Sequence, residues 1–288
     1  MTMRLGITAA LTDRDLAPAT IAAAAEERGF DSFWLPEHTH LPVREDVPPA
    51  LVRGIRPDDY KRCLDPVVAL ATAAAVTSRI GLGTGILLVA QHDPIVLAKQ
   101  VATLDHLSQG RVTLGVGFGW NKTEAEDHGV DFRRRWHVAR EHLAAMEAIW
   151  SAELAEFRGE FVDFGPSWSW PKPVQQPRVR TLVGGGARES VFEAVVSYAD
   201  GWLPIGGGGL TEALPRLRAR AEEAGRDPAT LCVVPFGTIA DRGKLEHYAR
   251  LGVDEVVLRV NAGDESSVRA ELDALAPLVP FAATLEQP

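Results

Sequence analysis

Residues able to do chemistry cluster at a few points of this 288-residue sequence. Pro36-Glu37-His38-Thr39-His40 follows an apolar run and sets an imidazole beside a carboxylate. Histidine exchanges a proton near neutral pH, which makes His38 the expected acid–base group. Glu37 could orient it or titrate itself, and His40 is a further candidate. The plainer alternative for each is a hydrogen-bonded loop side chain. Gly81-Leu82-Gly83-Thr84-Gly85-Ile86 and Gly115-Val116-Gly117-Phe118-Gly119-Trp120-Asn121 repeat glycine at every second position. In a strand, that spacing bares one face of the backbone. Two such neighbours would let a planar ligand lie across both, unless the glycines only ease packing. Gly184-Gly185-Gly186-Ala187-Arg188 and Ile205-Gly206-Gly207 precede helices. Glycines there turn bare N–H groups and the helix dipole toward an anion, so the two loops read as a phosphate site. GxGxxG opening a helix and GK[ST] are both missing, which sets aside the dinucleotide fingerprint and the ATPase loop.

These positions need a scaffold, and the hydrophobic pattern supplies one. Short apolar runs alternate with amphipathic stretches along nearly the whole chain. Strands are expected at Arg4–Thr8, Asp31–Pro36, Arg79–Leu88, Arg111–Gly117, Thr181–Val183, Gly201–Ile205, Leu231–Ile239 and Glu255–Val260. Helices follow at about 15–28, 66–78, 94–108, 133–150, 188–199, 212–224, 244–251 and 265–278. A long loop with Pro42, Pro48, Pro49 and Pro57 follows the second strand. An irregular segment at 154–180 contains an expected hairpin at Phe157–Phe164. Eight strand–helix units predict an α/β fold, a (β/α)8 TIM barrel in one domain over 1–288, with a doubly wound sheet as the alternative. In a barrel the chemistry sits at the strand C-termini, where the residues above fall.

Composition narrows the partners. Thirty Lys and Arg against 39 Asp and Glu leave a net charge of −9, which argues against nucleic acid or an anionic membrane. Five of the 30 cations are Lys, so Arg, the better fork for phosphate and carboxylate, dominates. Two cysteines, Cys63 and Cys232, make no disulfide framework and no CxxC, consistent with a cytoplasmic protein. His38 and His40 share a ligand-like spacing, but no further ligand set accompanies them, so no metal is expected. No strand end offers a Schiff-base lysine, Lys122 lying beyond the strand 4 terminus, which weakens an aldolase reading. Trp168-Ser169-Trp170-Pro171 could roof a cleft or pack as a surface insertion. Arg133-Arg134-Arg135 reads as a solvated helix start, and Arg178 with Arg180 as candidates for a cofactor tail.

The runs Arg79–Gly85 with Asp93-Pro94, Leu104–Arg111, Gly115–Trp120 and Tyr198–Trp202 resemble the luciferase-like monooxygenase superfamily. The closest resemblance is to members using the deazaflavin coenzyme F420, and it covers essentially the whole chain. It implies a (β/α)8 barrel with an insertion, often a homodimer, with a flavin or deazaflavin at the strand C-termini. It also implies a non-proline cis peptide at Gly85-Ile86 and an active-site histidine at His38. The ring would meet Ile7, His38, Gly83, Thr84, Gly85, Ile86, Gly117, Gly119, Trp120 and Asn121. The phosphate end would meet Gly184, Gly185, Gly186, Ala187, Arg188, Ile205, Gly206 and Gly207. His40, Phe118, Trp168 and Trp170 would face substrate. Sugar-phosphate dehydrogenases of this family carry a carboxylate directly after the strand 4 glycines; here Trp120 stands there and the next acid is Glu124. That departure favours an apolar substrate. The expected activity is hydride transfer between F420 and a C=C or C=O group. The alternatives are an FMN monooxygenase with a reductase partner and a cofactor-binding barrel without turnover.

Overall fold

The computed structural model describes residues 2–43 and 57–286. The Pro48-Pro49 stretch of the long loop lies outside them. The strands are β1 (Arg4–Thr8), β2 (Ser32–Leu35), β3 (Gly81–Leu87), β4 (Val112–Val116), β5 (Ala155–Arg158), β6 (Asp163–Ser167), β7 (Arg180–Gly184), β8 (Gly201–Leu203), β9 (Cys232–Val233), β10 (Phe236–Thr238) and β11 (Glu255–Arg259). The helices are α1 (Pro18–Glu27), α2 (Pro57–Tyr60), α3 (Pro66–Val76), α4 (Pro94–Leu107), α5 (Lys122–Asp127), α6 (Arg135–Ser151), α7 (Glu189–Tyr198), α8 (Leu210–Glu223), α9 (Arg242–Arg250), α10 (Glu265–Leu275) and α11 (Leu278–Ala283). The principal sheet has nine strands, all parallel, in the order β10-β11-β1-β2-β3-β4-β7-β8-β9. The expected seventh strand is two pieces, because Pro235 has no N–H to give the ladder. Both pieces bond both neighbours: Val234 N and Phe236 N donate to Trp202 O and Pro204 O on the β8 side, and Asp254 N and Val257 N donate to Val233 O and Pro235 O on the β11 side.

Local chemistry sets the boundaries. Pro18, Pro66 and Pro94 begin their helices at positions whose N–H would go unused. Asp65 and Asp93 cap α3 and α4 by accepting from first-turn N–H groups. Gly29, at φ +86°, ends α1 in a conformation other residues resist. The expected hairpin is present, with Phe157 opposite Phe164. Sequence periodicity misses α5 and α11, each six residues long.

Alternation along the parallel strands divides them into an outer face under the helices and an inner, concave face. A buried inner cluster joins Trp34, Leu182, Leu203, Val234, Phe236 and Val257. The alternating glycines belong to this face. A Cβ on Gly83 would lie 2.1 Å from the Trp34 ring, and one on Gly85 would lie 2.3 Å from Phe236. The space bared by the glycines of β3 is therefore filled by this chain's own aromatics, which is the packing reading of the pattern. Gly85-Ile86 is a cis peptide, and the β3–β4 register shifts between Gly85 and Leu87. Ile86 lies over Gly117 and Gly184, whose added Cβ atoms would come 2.6 and 2.2 Å from it.

Candidate functional site

A cavity of about 820 Å³ opens at the C-terminal ends of the parallel strands, within the size range of small-molecule sites. Its floor is made by inward-facing residues at the strand ends: Thr8, Pro36, Gly85, Gly117, Gly184, Ile205, Phe236 and Arg259. Glu37, His38, Ile86, Gly119, Trp120, Phe118, Gly185, Gly186, Arg188 and Gly206 also line it. Part of the set expected after each of β2, β3, β4, β7 and β8 thus meets in one place.

His38 is the centre of its polar side. Nδ1 lies 3.1 and 3.0 Å from the two oxygens of Glu124, and both side chains are almost fully buried. With Nδ1–H donating to the carboxylate, the neutral ring carries its lone pair on Nε2. Tyr60 and Trp120 meet the ring edge-on, with centroids at 4.9 and 5.7 Å. Asn121 explains why Glu124 is there. Its Oδ1 accepts from Thr123 N and Glu124 N, starting α5 and fixing the carboxylate on the first turn. Asn121 is therefore a helix cap through Oδ1, and it stands outside the cavity lining.

Glu37 does different work. One oxygen accepts from Leu88 N at 2.5 Å and the other from His92 Nε2 at 2.7 Å. It ties the end of β2 to the segment after the β3 bulge. Burial alone would lower the His92 pKa, but the hydrogen bond and charge of Glu37 outweigh it and raise the value. Cys63, also in the lining, is pushed up to about 12 by burial and the nearby charges of Asp59, Glu124 and Glu37. It is a neutral thiol near neutral pH.

The glycine rim offers open backbone. A Cβ on Gly186 or Gly206 would meet nothing within 4 Å. The N–H groups of Gly186 and Ala187 have no acceptor among the described residues. Trp202 Nε1 donates to Gly185 O at 3.0 Å and fixes the loop.

Several expected contacts lie elsewhere. Ile7 is fully buried outside the lining. Gly83 holds the Trp34 ring, and Thr84 donates to Gly115 O inside the sheet. Gly207 packs under the Tyr248 hydroxyl, which donates to its carbonyl, and Ala187 stands outside the lining. His40 bonds Asp127 at the surface of α5. Trp168 and Trp170 are 76% and 59% exposed and roof nothing, because Lys99 and Lys172 anchor their segment to the outer helices. Arg178 pairs with Asp200, and Arg180 begins β7 at the end opposite the cavity, so neither reaches a cofactor tail. Arg135 is half-buried, lines the cavity and donates to Gly119 O and Phe132 O, unlike its solvated neighbour Arg133. Phe118 does line the cavity, stacked on Trp136 at 3.4 Å. Sequence reasoning missed Tyr60, Trp136, Phe236 and Arg259 as lining, and missed the pairing of Glu124 with His38. The one available signal for Glu124 was that it is the first acid after the β4 glycines. Among the described residues no group of three His, Cys, Asp or Glu could hold a metal ion, and no helix is long and apolar enough to cross a membrane.

The luciferase-like monooxygenase family profile matches residues 17–258, and the chain belongs to that family. An uncharacterized protein of Mycobacterium tuberculosis is 45% identical over 277 residues, 95% of this chain and 98% of its own length. The F420-dependent glucose-6-phosphate dehydrogenase of Kineococcus radiotolerans is 32% identical over 72% of this chain and 59% of its own. Three solved structures share the fold. Monooxygenase RslO1 from Streptomyces bottropensis has a TM-score of 0.75 at 21% identity, covering 98% of this chain and 100% of that one. An F420-dependent secondary alcohol dehydrogenase in complex with an F420-acetone adduct has a TM-score of 0.74 at 17% identity, covering 98% and 99%. The oxygenating constituent of 3,6-diketocamphane monooxygenase from Pseudomonas putida, in complex with FMN, has a TM-score of 0.64 at 21% identity, covering 86% and 71%. The relatives thus include both F420- and flavin-dependent oxidoreductases.

Proposed function

We propose that this chain is a single-domain (β/α)8 barrel oxidoreductase that binds coenzyme F420 and exchanges hydride with a C=O or C=C group on a largely apolar carbon skeleton. The observation that carries the reading is the His38–Glu124 pair in the cavity wall. Reduction of a carbonyl needs a proton at the new alkoxide oxygen, and the reverse reaction must remove one. His38 Nε2 has no partner among the described residues, and Glu124 holds the ring by its other nitrogen. His38 would give or take the substrate proton at Nε2, with Glu124 stabilising the charged ring.

The lining supports a flavin-like cofactor with a phosphate, which we read as F420. Gly186 and Gly206 leave backbone open where a side chain would stand, and Arg188 adds a cation beside them. Gly186 N, Ala187 N and Arg188 would hold the phosphate. Bound F420 supplies or accepts the hydride. Trp120, Tyr60, Phe118 and Trp136 would exclude water and pack the apolar part of the substrate.

The test is to mix purified protein with reduced F420 and a panel of ketones, aldehydes and enones. Oxidation of the cofactor by one of them, abolished in His38→Ala, supports the reading. Incorporation of labelled oxygen into product with reduced FMN and a reductase would move the protein to the monooxygenases. F420 binding without turnover across the panel would favour a binding protein.

A further inference from the structure

The floor of the cavity contains one charged residue, and the alternation of β11 puts it there. Glu255, Val257 and Arg259 face the concave side in turn. Glu255 is taken by Ser32 and Arg4, and Val257 is buried in the inner cluster. Arg259 follows at the strand end and lines the cavity. Around it the floor is Thr8, Gly85, Gly117, Gly184, Ile205 and Phe236, with no other ionisable group. No hydrogen-bond acceptor or carboxylate among the described residues engages the Arg259 side chain. The other charges in the lining differ. Both oxygens of Glu37 are engaged, Arg135 donates to two carbonyls, Asp59 has its own interactions, and Arg188 stands exposed at the glycine rim.

Strand order gives the position of Arg259 relative to His38 and to the glycine loops. It is opposite Thr8 on β1, and β1 lies beside β2, whose end leads to His38. The Gly186–Arg188 part of the glycine rim follows β7, three strands from β11 by way of β10 and β8, whereas Gly206 follows β8 and bonds Phe236 of β10. By strand position Arg259 is therefore one strand nearer to His38 than to the Gly186–Arg188 loop assigned to the phosphate. A partly exposed guanidinium facing a cavity with no acceptor among the described residues is available to an anion, and its planar fork matches a carboxylate.

We propose that Arg259, with Thr8 beside it, reads a carboxylate on the substrate. The substrate class is then an apolar skeleton with the reacting group at His38 and an acidic group at the other end. This rests on the oxidoreductase reading for the reacting group only; the anion preference is a property of the cavity.

The test is calorimetric titration with cyclohexanone and with 4-oxocyclohexanecarboxylate, each with and without saturating F420. The wild type is expected to bind the carboxylate at least about tenfold more tightly. Arg259→Met reduces that ratio to near one and Arg259→Lys keeps part of it. Arg133→Met, which removes the same charge from the exposed surface, keeps all of it. Melting curves establish that each variant is folded. An unchanged ratio in Arg259→Met overturns the proposal, as does a wild type that binds neither compound. Loss of F420 affinity in Arg259→Met with the ratio intact would assign the arginine to the cofactor and overturn it too. Failure of F420 to bind, with an Arg259-dependent ratio in the cofactor-free protein, would remove the cofactor reading and leave this one standing.

Discussion

Glu124 Oε2 lies 3.0 Å from His38 Nδ1, across 86 residues of chain. The contact holds the imidazole by Nδ1 and leaves Nε2 without a partner among the described residues, so in the proposed reaction the two residues act as a unit. His38→Ala should lower kcat by ~10²–10⁴-fold with little change in F420 affinity. Glu124→Gln keeps the shape, loses the charge, and should lower kcat while displacing the pH–rate profile. Steady-state kinetics across pH checks both, and unaltered profiles would take the pair out of the proton path.

The phosphate assignment is best tested at Gly186. Gly185 has φ +147° and its Cβ would meet Val191 at 3.0 Å, so any side chain there strains the loop. At Gly186 no φ strain and no neighbour interferes. Gly186→Asp should weaken F420 binding on the order of a hundredfold, with the melting temperature unmoved. Fluorescence titration measures it, and wild-type affinity would refute the assignment.

Ile86 sits where two glycines leave room. Gly184→Ala would put a Cβ 2.2 Å from it and should destabilise the fold by about 1–3 kcal/mol. Adding Ile86→Ala should recover most of that loss in a denaturant double-mutant cycle, because the clash is with that one side chain. Additive effects would show that Ile86 is not what fills the space.

The raised pKa of His92 has a stability consequence. Its folded value lies above the ordinary 6.5, so the His92–Glu37 charge pair contributes fully below that value. The contribution fades as pH rises through the folded value. His92→Gln keeps a hydrogen bond to Glu37 without the charge. Its melting temperature should trail wild type most near about pH 6 and converge toward about pH 9. A gap that widens with pH would contradict the pairing.

Much of the frame is legible in the linear pattern, because strand–helix alternation, prolines at helix starts and stopping glycines are local. Pro235 breaks its strand for a local reason too. The use of each glycine is not local: Gly83 and Gly85 are filled by Trp34 and Phe236, from other strands. The same holds for Glu124, whose value comes from His38 and from the Asn121 cap between β4 and α5. Trp168 and Trp170 mislead because an aromatic pair reads as a wall, whereas lysine contacts to outer-helix and loop carbonyls decide where the insertion lies.

The most direct test of the account is a paired equilibrium titration of the cofactor-free protein with F420 and with FMN, followed by fluorescence. F420 is expected to bind at micromolar affinity or tighter, more than about tenfold tighter than FMN, and more weakly in Gly186→Asp. Tight binding of FMN with none of F420 would contradict it.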